Sequence, residues 1–192
     1  MDGLELIYDF FEDRPHASAL IRQRAPAALG LLGALLGATA LFFAHALADR
    51  SALPFGWPAL ALSWLWQAAV TFTTTALLHL ILELGGQRGS ARSLFVHLGL
   101  SELAWLAAVP AVLLCQAAFE KPVWGLRLVF FSIGLWSLAL KARGIRDEYG
   151  VGGGWAWLTL GVPYLAGIVF VLLATFLAAL GFILPALSAW TS

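Results

Sequence analysis

The chain has 192 residues, no net charge, 61% hydrophobic side chains and only 11% charged ones, whereas a soluble domain carries about 25% charged residues. Eleven Lys and Arg with eleven Asp and Glu cannot cover a water-facing surface of this size, so lipid is the expected solvent. Zero net charge also leaves no basic patch to neutralise phosphates, which argues against nucleic acid as a partner.

Residues 1–24 form a first segment. Leu6, Ile7, Phe10 and Phe11 fall at helical i, i+1, i+4, i+5 spacing, while Asp2, Glu5, Asp9, Glu12 and Asp13 lie mostly elsewhere. Pro15 interrupts this run and Leu20-Ile21 resumes it. The pattern predicts an amphipathic helix lying in the membrane interface. Its acidic polar face suits anionic lipid poorly, so docking on the protein's own helices or on a partner is an equal expectation. A secretory signal opens with positive charge. This acidic opening therefore predicts that the first apolar run stays in the protein.

Residues 25–192 form the second unit, an all-α membrane bundle. A spanning helix needs roughly 20 apolar residues, and five stretches qualify: Pro26–Ala48, Pro58–Leu84, Leu94–Phe119, Val123–Leu140 and a run within Trp155–Trp190. Asp49-Arg50, Gly85-Gly86, Glu120-Lys121-Pro122 and Lys141-Ala142-Arg143 close the first four. The fifth is too long for one straight crossing, and Gly161, Pro163, Gly167, Gly181 and Pro185 predict tilt, a kink or an interfacial start. Trp57, Trp124, Trp155, Trp157 and Trp190 fall near proposed ends, where the indole reaches the polar interface.

Eight of the 11 basic residues would share one side: Arg14, Arg22, Arg24, Arg88, Arg92, Lys141, Arg143 and Arg146. Arg50, Lys121 and Arg127 would lie on the other. Cytoplasmic loops collect Lys and Arg, which places the N-terminus inside and, after five crossings, the C-terminus outside. The single cysteine, Cys115, permits no intrachain disulfide and reads as a small buried side chain. Gly30-x2-Gly33 and Gly33-x3-Gly37 allow a close helix contact without saying whether the neighbour belongs to the same chain.

Three stretches carry a family resemblance. Leu78-His79-Leu80-Ile81-Leu82-Glu83-Leu84-Gly85-Gly86-Gln87-Arg88-Gly89-Ser90 resembles the helix–Gly-Gly–polar-turn connection of the bacterial Yip (Ypt-interacting-protein) domain family. Leu135-Trp136-Ser137-Leu138, Gly144-Ile145-Arg146 and Tyr149-Gly150 resemble that family's fourth span and following loop. Asp13-Arg14-Pro15 resembles its short lead-in. The ordered set implies five spans, an inside N-terminus, and a membrane scaffold or accessory role without assigned chemistry. Eukaryotic members carry a long cytosolic N-terminal region and an Asp-Leu-Tyr-Gly-Pro motif. This chain has neither, so their link to Rab-type GTPases is not carried over. The Ala-, Leu- and Trp-rich composition with few Lys is compatible with a GC-rich bacterial genome and the inner membrane.

Ionisable residues at membrane depth point to candidate function. Around a turn centred on Arg88, His79 and His97 lie nine residues to either side, Glu83 and Ser93 five, and Thr75 and Ser101 thirteen, with Glu102 adjacent. If spans two and three turn these faces together, Thr75, His79, Glu83, His97, Ser101 and Glu102 form a polar ladder. Interhelical hydrogen bonding is the plain reading. A cytoplasm-facing polar pocket or proton path is the sharper one. A metal site from His79, Glu83, His97 and Glu102 is chemically possible, but the His-x3-Glu and His-x4-Glu separations match no signature.

The threonines Thr71, Thr73, Thr74 and Thr75 are expected to bond their own backbone and bend the helix. His16 and His45 read as interfacial, and Arg127 is expected to snorkel outward or to pair with Glu120. Gly150-Val151-Gly152-Gly153-Gly154 lacks a following Lys-Ser/Thr and reads as a loop or helix end. Lys141–Glu148 reads as a solvated stretch or a partner's docking patch. No nucleophile–base set, metal signature or cofactor motif is present. The expectation is a non-enzymatic membrane protein without cofactor. It would be a scaffold or accessory subunit meeting a membrane-protein partner or forming a homo-oligomer, with a small oligomeric transporter, channel or lipid-translocating protein as the alternative.

Overall fold

A computed structural model describes residues 3–49 and 55–190, with side chains of the last helix described to residue 179. Asp2, Arg50, Gly181, Pro185 and the Trp190 side chain, all used above, lie outside the described side chains. Every described element is a helix: α1 Gly3–Glu12, α2 Arg14–Arg24, α3 Ala27–Leu47, α4 Trp57–Leu84, α5 Ala91–Ser101, a 3-10 segment Glu102–Ala107, α6 Ala108–Ala118, α7 Val123–Tyr149 and α8 Gly153–Trp190. Five helical runs are long and apolar enough to cross a membrane: α3, α4, the α5–α6 run, α7 and α8. The chain is thus a multi-pass, all-helical membrane protein.

The local sequence explains the breaks. Asp13 ends α1 and caps α2, its carboxylate accepting the His16 N–H, while Pro15 occupies the first turn of α2, where a missing N–H costs nothing. His16 Nδ1 reaches back to Asp9 at 2.8 Å and ties the two short helices together. Ser90 caps α5 by accepting the Ser93 N–H. The 3-10 segment stands just ahead of Pro110, whose ring crowds the Leu106 carbonyl and supplies no N–H to it. At the far end of α7, Gly150 takes the left-handed conformation, φ 67°, that lets a helix stop with its last carbonyls satisfied.

Two differences from the sequence reading matter. The fourth span does not end at Leu140. Helix α7 continues through Lys141-Ala142-Arg143 to Tyr149, because Ala142, Ile145 and Tyr149 extend its apolar face and are buried. These three join Leu78, Leu82, Leu94, Leu98, Ala156 and Leu160 in one cluster. Of the segment expected to be solvated, Ala142, Gly144, Ile145 and Glu148 are thus buried, while Arg143 and Arg146 are exposed. The N-terminal segment is also two helices rather than one. They dock on the protein itself: Leu6, Phe10, Ala17 and Ile21 pack with Val96, Leu100 and Leu103.

Helix α3 lies against α5 at backbone distance. A methyl added to Gly30 would stand 2.8 Å from Val96 Cα, and one on Gly33 would stand 2.8 Å from the Gly99 carbonyl oxygen. Only hydrogen at these α-carbons permits that approach. The neighbour left open by the glycine spacing is thus the third span of the same chain. In a separate cluster, Cys115 is buried with Ala44, Val112, Leu126 and Ile133.

Helix α8 behaves differently. Its first turns bury Ala156, Thr159 and Leu160, yet every residue from Tyr164 to Ala179 is exposed. An apolar cleft of about 530 Å³ between Trp66 and Val70 of α4 and Gly167, Ile168 and Val171 of α8 marks where the two helices part. The helix is continuous through Pro163.

Candidate functional site

The six residues of the expected ladder divide into two groups, and no hydrogen bond or ion pair among the described residues joins one group to the other. Thr75, His79 and Glu83 lie along one face of α4 and line a groove shared with α3 and α5. His97, Ser101 and Glu102 turn inward and are buried. Helices α4 and α5 do pack together, but His97 lies against Gly144 of α7 and Glu102 against Gly37 of α3.

Within the first group, His79 Nδ1 stands 2.6 Å from the Tyr149 hydroxyl, and His79 Nε2 lies 3.7 Å from Glu83. Thr75 donates to the Thr71 carbonyl at 2.6 Å, the backbone return expected of a threonine in a span. In the second group, Ser101 likewise donates to the His97 carbonyl at 2.7 Å. The His97 ring packs against Gly144 and the Phe10 ring. Neither of its nitrogens, nor the Ser93 hydroxyl one turn away, meets a protein partner.

Glu102 carries the closest charged contact of the spans. Its Oε1 lies 2.7 Å from Lys141 Nζ, and both side chains are nearly buried. The Tyr164 hydroxyl stands beside the same ammonium. At about 1.5 Å per residue, Lys141 lies about 27 Å along α7 from Val123, and Tyr149 about 12 Å further. The pair thus sits in the interior, between a span-length apolar stretch and the capped end. A lone charge there would be costly. Two opposite charges with a hydroxyl neighbour satisfy one another.

Beyond the pair, a second cluster locks the N-terminal helices to the end of α7. Arg22 donates to the Asp147 and Glu148 carbonyls, at the helix end where cations are favoured. Its Nε lies 3.5 Å from Glu148 Oε2. Glu148 Oε1 in turn accepts the Ser90 N–H at 2.9 Å, so one carboxylate connects α2, the turn before α5 and α7. Arg14 lies 4.0 Å from Asp147. Burial lowers the Arg14 pKa from its ordinary value, with Arg143 and Arg146 adding to that and Asp147 opposing it.

Other candidates resolve simply. Arg127, expected to snorkel outward or to pair with Glu120, lies over the Trp124 ring at 4.8 Å in a cation–π contact. The His45 ring stacks on Phe130. Trp57, Trp124, Trp155 and Trp157 are exposed, as expected of residues at the span ends. Among the described residues, no three His, Cys, Asp or Glu side chains converge as a metal site.

Lys141, Tyr149, Arg22 and Asp147 are not among the site residues expected from the sequence. A signal for Lys141 was present. Glu102 lies nineteen residues before Lys121 and Lys141 twenty after it, so a hairpin of spans three and four brings them to one depth. Compared with protein-family models, with curated proteins and with solved structures, the chain matches none of them.

Proposed function

We propose that this protein is a non-catalytic accessory subunit or scaffold of the bacterial inner membrane, with its N-terminus cytoplasmic, that works by binding another membrane protein. The observation that carries this reading is α8. From Tyr164 to Ala179 it is exposed all round, while the nearly buried charges Glu102 and Lys141 of the other spans are paired with each other. Such a helix is free to pack against helices of a partner, and Gly161, Gly167 and the alanines Ala166, Ala174, Ala178 and Ala179 would allow close approach. The resemblance to bacterial Yip-domain proteins supports the same reading.

A photocrosslinker placed at Phe170 or Leu177 in native membranes tests it. The expected result is one reproducible, stoichiometric membrane-protein adduct, absent when the crosslinker sits at buried Ile21. Adducts to lipid alone overturn the accessory reading. Transport is the second reading, supported by the groove along α4 with its Thr75, His79 and Glu83. Reconstituted vesicles that pass neither ions, protons nor labelled lipid, beside a working control, remove it.

A further inference from the structure

The groove between α3, α4 and α5 has a chemistry that the accessory reading does not use. Its volume is about 640 Å³, within the roughly 300–1,000 Å³ of small-molecule sites. Phe72 and Leu80 of α4 and Phe95 of α5 form its apolar wall, and Phe72 and Leu80 are largely exposed. The groove therefore opens sideways, toward lipid. From Phe72 to Glu83 it extends about 16 Å along α4, and it ends at the polar turn Gly85–Ser90.

At that end stand two opposite charges. Glu83 lies on the α4 wall and Arg92 on the α5 wall, yet they form no ion pair with each other. Glu83 is exposed, with the His79 ring 3.7 Å away and Tyr149 in its neighbourhood. Arg92 makes no hydrogen bond or ion pair among the described residues. It sits in the first turn of α5, behind the Ser90 cap, where the helix end favours an anion.

From this arrangement we infer that the groove is a binding site for one phospholipid with a phosphoethanolamine headgroup. An acyl chain lies along Phe72, Leu80 and Phe95. The phosphate accepts from the Arg92 guanidinium, which suits it in charge and shape. The primary ammonium donates to the Glu83 carboxylate across the gap. A choline headgroup has no N–H to donate there, and a glycerol headgroup has no positive charge. The charge pattern therefore selects among lipids of similar shape. The inference goes beyond the accessory reading and does not depend on it, since it concerns a different face of the bundle.

The test is native mass spectrometry of the full-length protein, released from nanodiscs holding equal parts of phosphatidylethanolamine, phosphatidylcholine and phosphatidylglycerol of one chain length. The expected result is one retained lipid per chain, with phosphatidylethanolamine favoured about fivefold over phosphatidylcholine, the size of one exposed ion-pair contact. Glu83→Gln removes that preference while retention of phosphatidylcholine stays. Arg92→Gln lowers retention of all three, and Arg92→Lys, which keeps the charge, restores part of it. An unchanged circular dichroism spectrum and a monodisperse elution profile show that each variant is folded. Equal retention of the three lipids by the unaltered protein overturns the assignment, as does a preference for phosphatidylglycerol. Variants indistinguishable from the unaltered protein overturn it equally.

Discussion

Along α5 and the last two turns of α7, nearly every side chain meets another from the same chain. Along α8 beyond Tyr164, none is buried. The first region has a continuous apolar core, backbone-to-backbone glycine contacts with α3, a charged fastening to α2 and, at its border, the Glu102–Lys141 ion pair at 2.7 Å. The second is a single helix with Leu, Val and Phe pointing in all directions. The second is the more apolar of the two in sequence, yet it is the first that packs, so hydrophobicity alone does not bring these helices together. What does is whether polar and small residues supply specific contacts, because lipid tails satisfy Leu as well as another helix does.

The sharpest way to break this contrast is to leave one buried charge alone. Lys141→Met strands Glu102, and a stability loss of about 3–5 kcal/mol is expected, measured by denaturant unfolding in a fixed detergent. The double variant Glu102→Leu with Lys141→Met removes both charges and should recover most of that loss. If the double variant is as unstable as the single one, the pair is not the source of the effect.

A smaller effect is expected at the fastening of the N-terminal helices. Arg22→Gln loses the pairing with Glu148 and weakens the hold on the α7 carbonyls, at a cost of roughly 1 kcal/mol. Backbone amides of Gly3–Arg24 should then exchange faster with solvent deuterium. High salt should speed the unaltered protein's exchange toward the variant's, because salt screens half-exposed pairs. Exchange confined to its original rate in both cases would show that Leu6, Phe10 and Ile21 alone seat these helices. The smallest effect belongs to α8. Leu172→Ala should change the isolated protein's stability by no more than about 0.5 kcal/mol while reducing the partner adduct expected above. A large loss in the isolated protein would mean that α8 packs against its own bundle.

The membrane class, the five spans and most of their ends were legible, since each is a matter of run length and polar punctuation. The end of the fourth span was not, because Lys141 and Arg143 resemble a membrane-exit signal when the chain is read in one dimension. In three dimensions Ala142, Ile145 and Tyr149 continue a buried face while the charges point elsewhere. The expected ladder illustrates the same limit. Counting from the turn matches positions along two helices and says nothing of rotation about the helix axis, so it could not show that His97 packs on Gly144 of α7 and Glu102 on Gly37 of α3. The same counting applied to the next hairpin would have joined Glu102 to Lys141. By contrast, the pairing of His79 with Tyr149 crosses three helices, and no local spacing encodes it.

The docking of α1 and α2 on α5 has a consequence for how the protein is made. Leu6, Phe10 and Ile21 leave the ribosome ahead of Val96, Leu100 and Leu103, which cover them and follow about 80 residues later. At about 5–20 residues per second, that is a wait of roughly 4–16 s. During it the amphipathic N-terminal pair has only the membrane surface to rest on. These two helices are therefore seated only once the third span arrives, and the exposed Glu5, Glu12 and Asp13 keep the outer side of α1 and of the joint toward water until then.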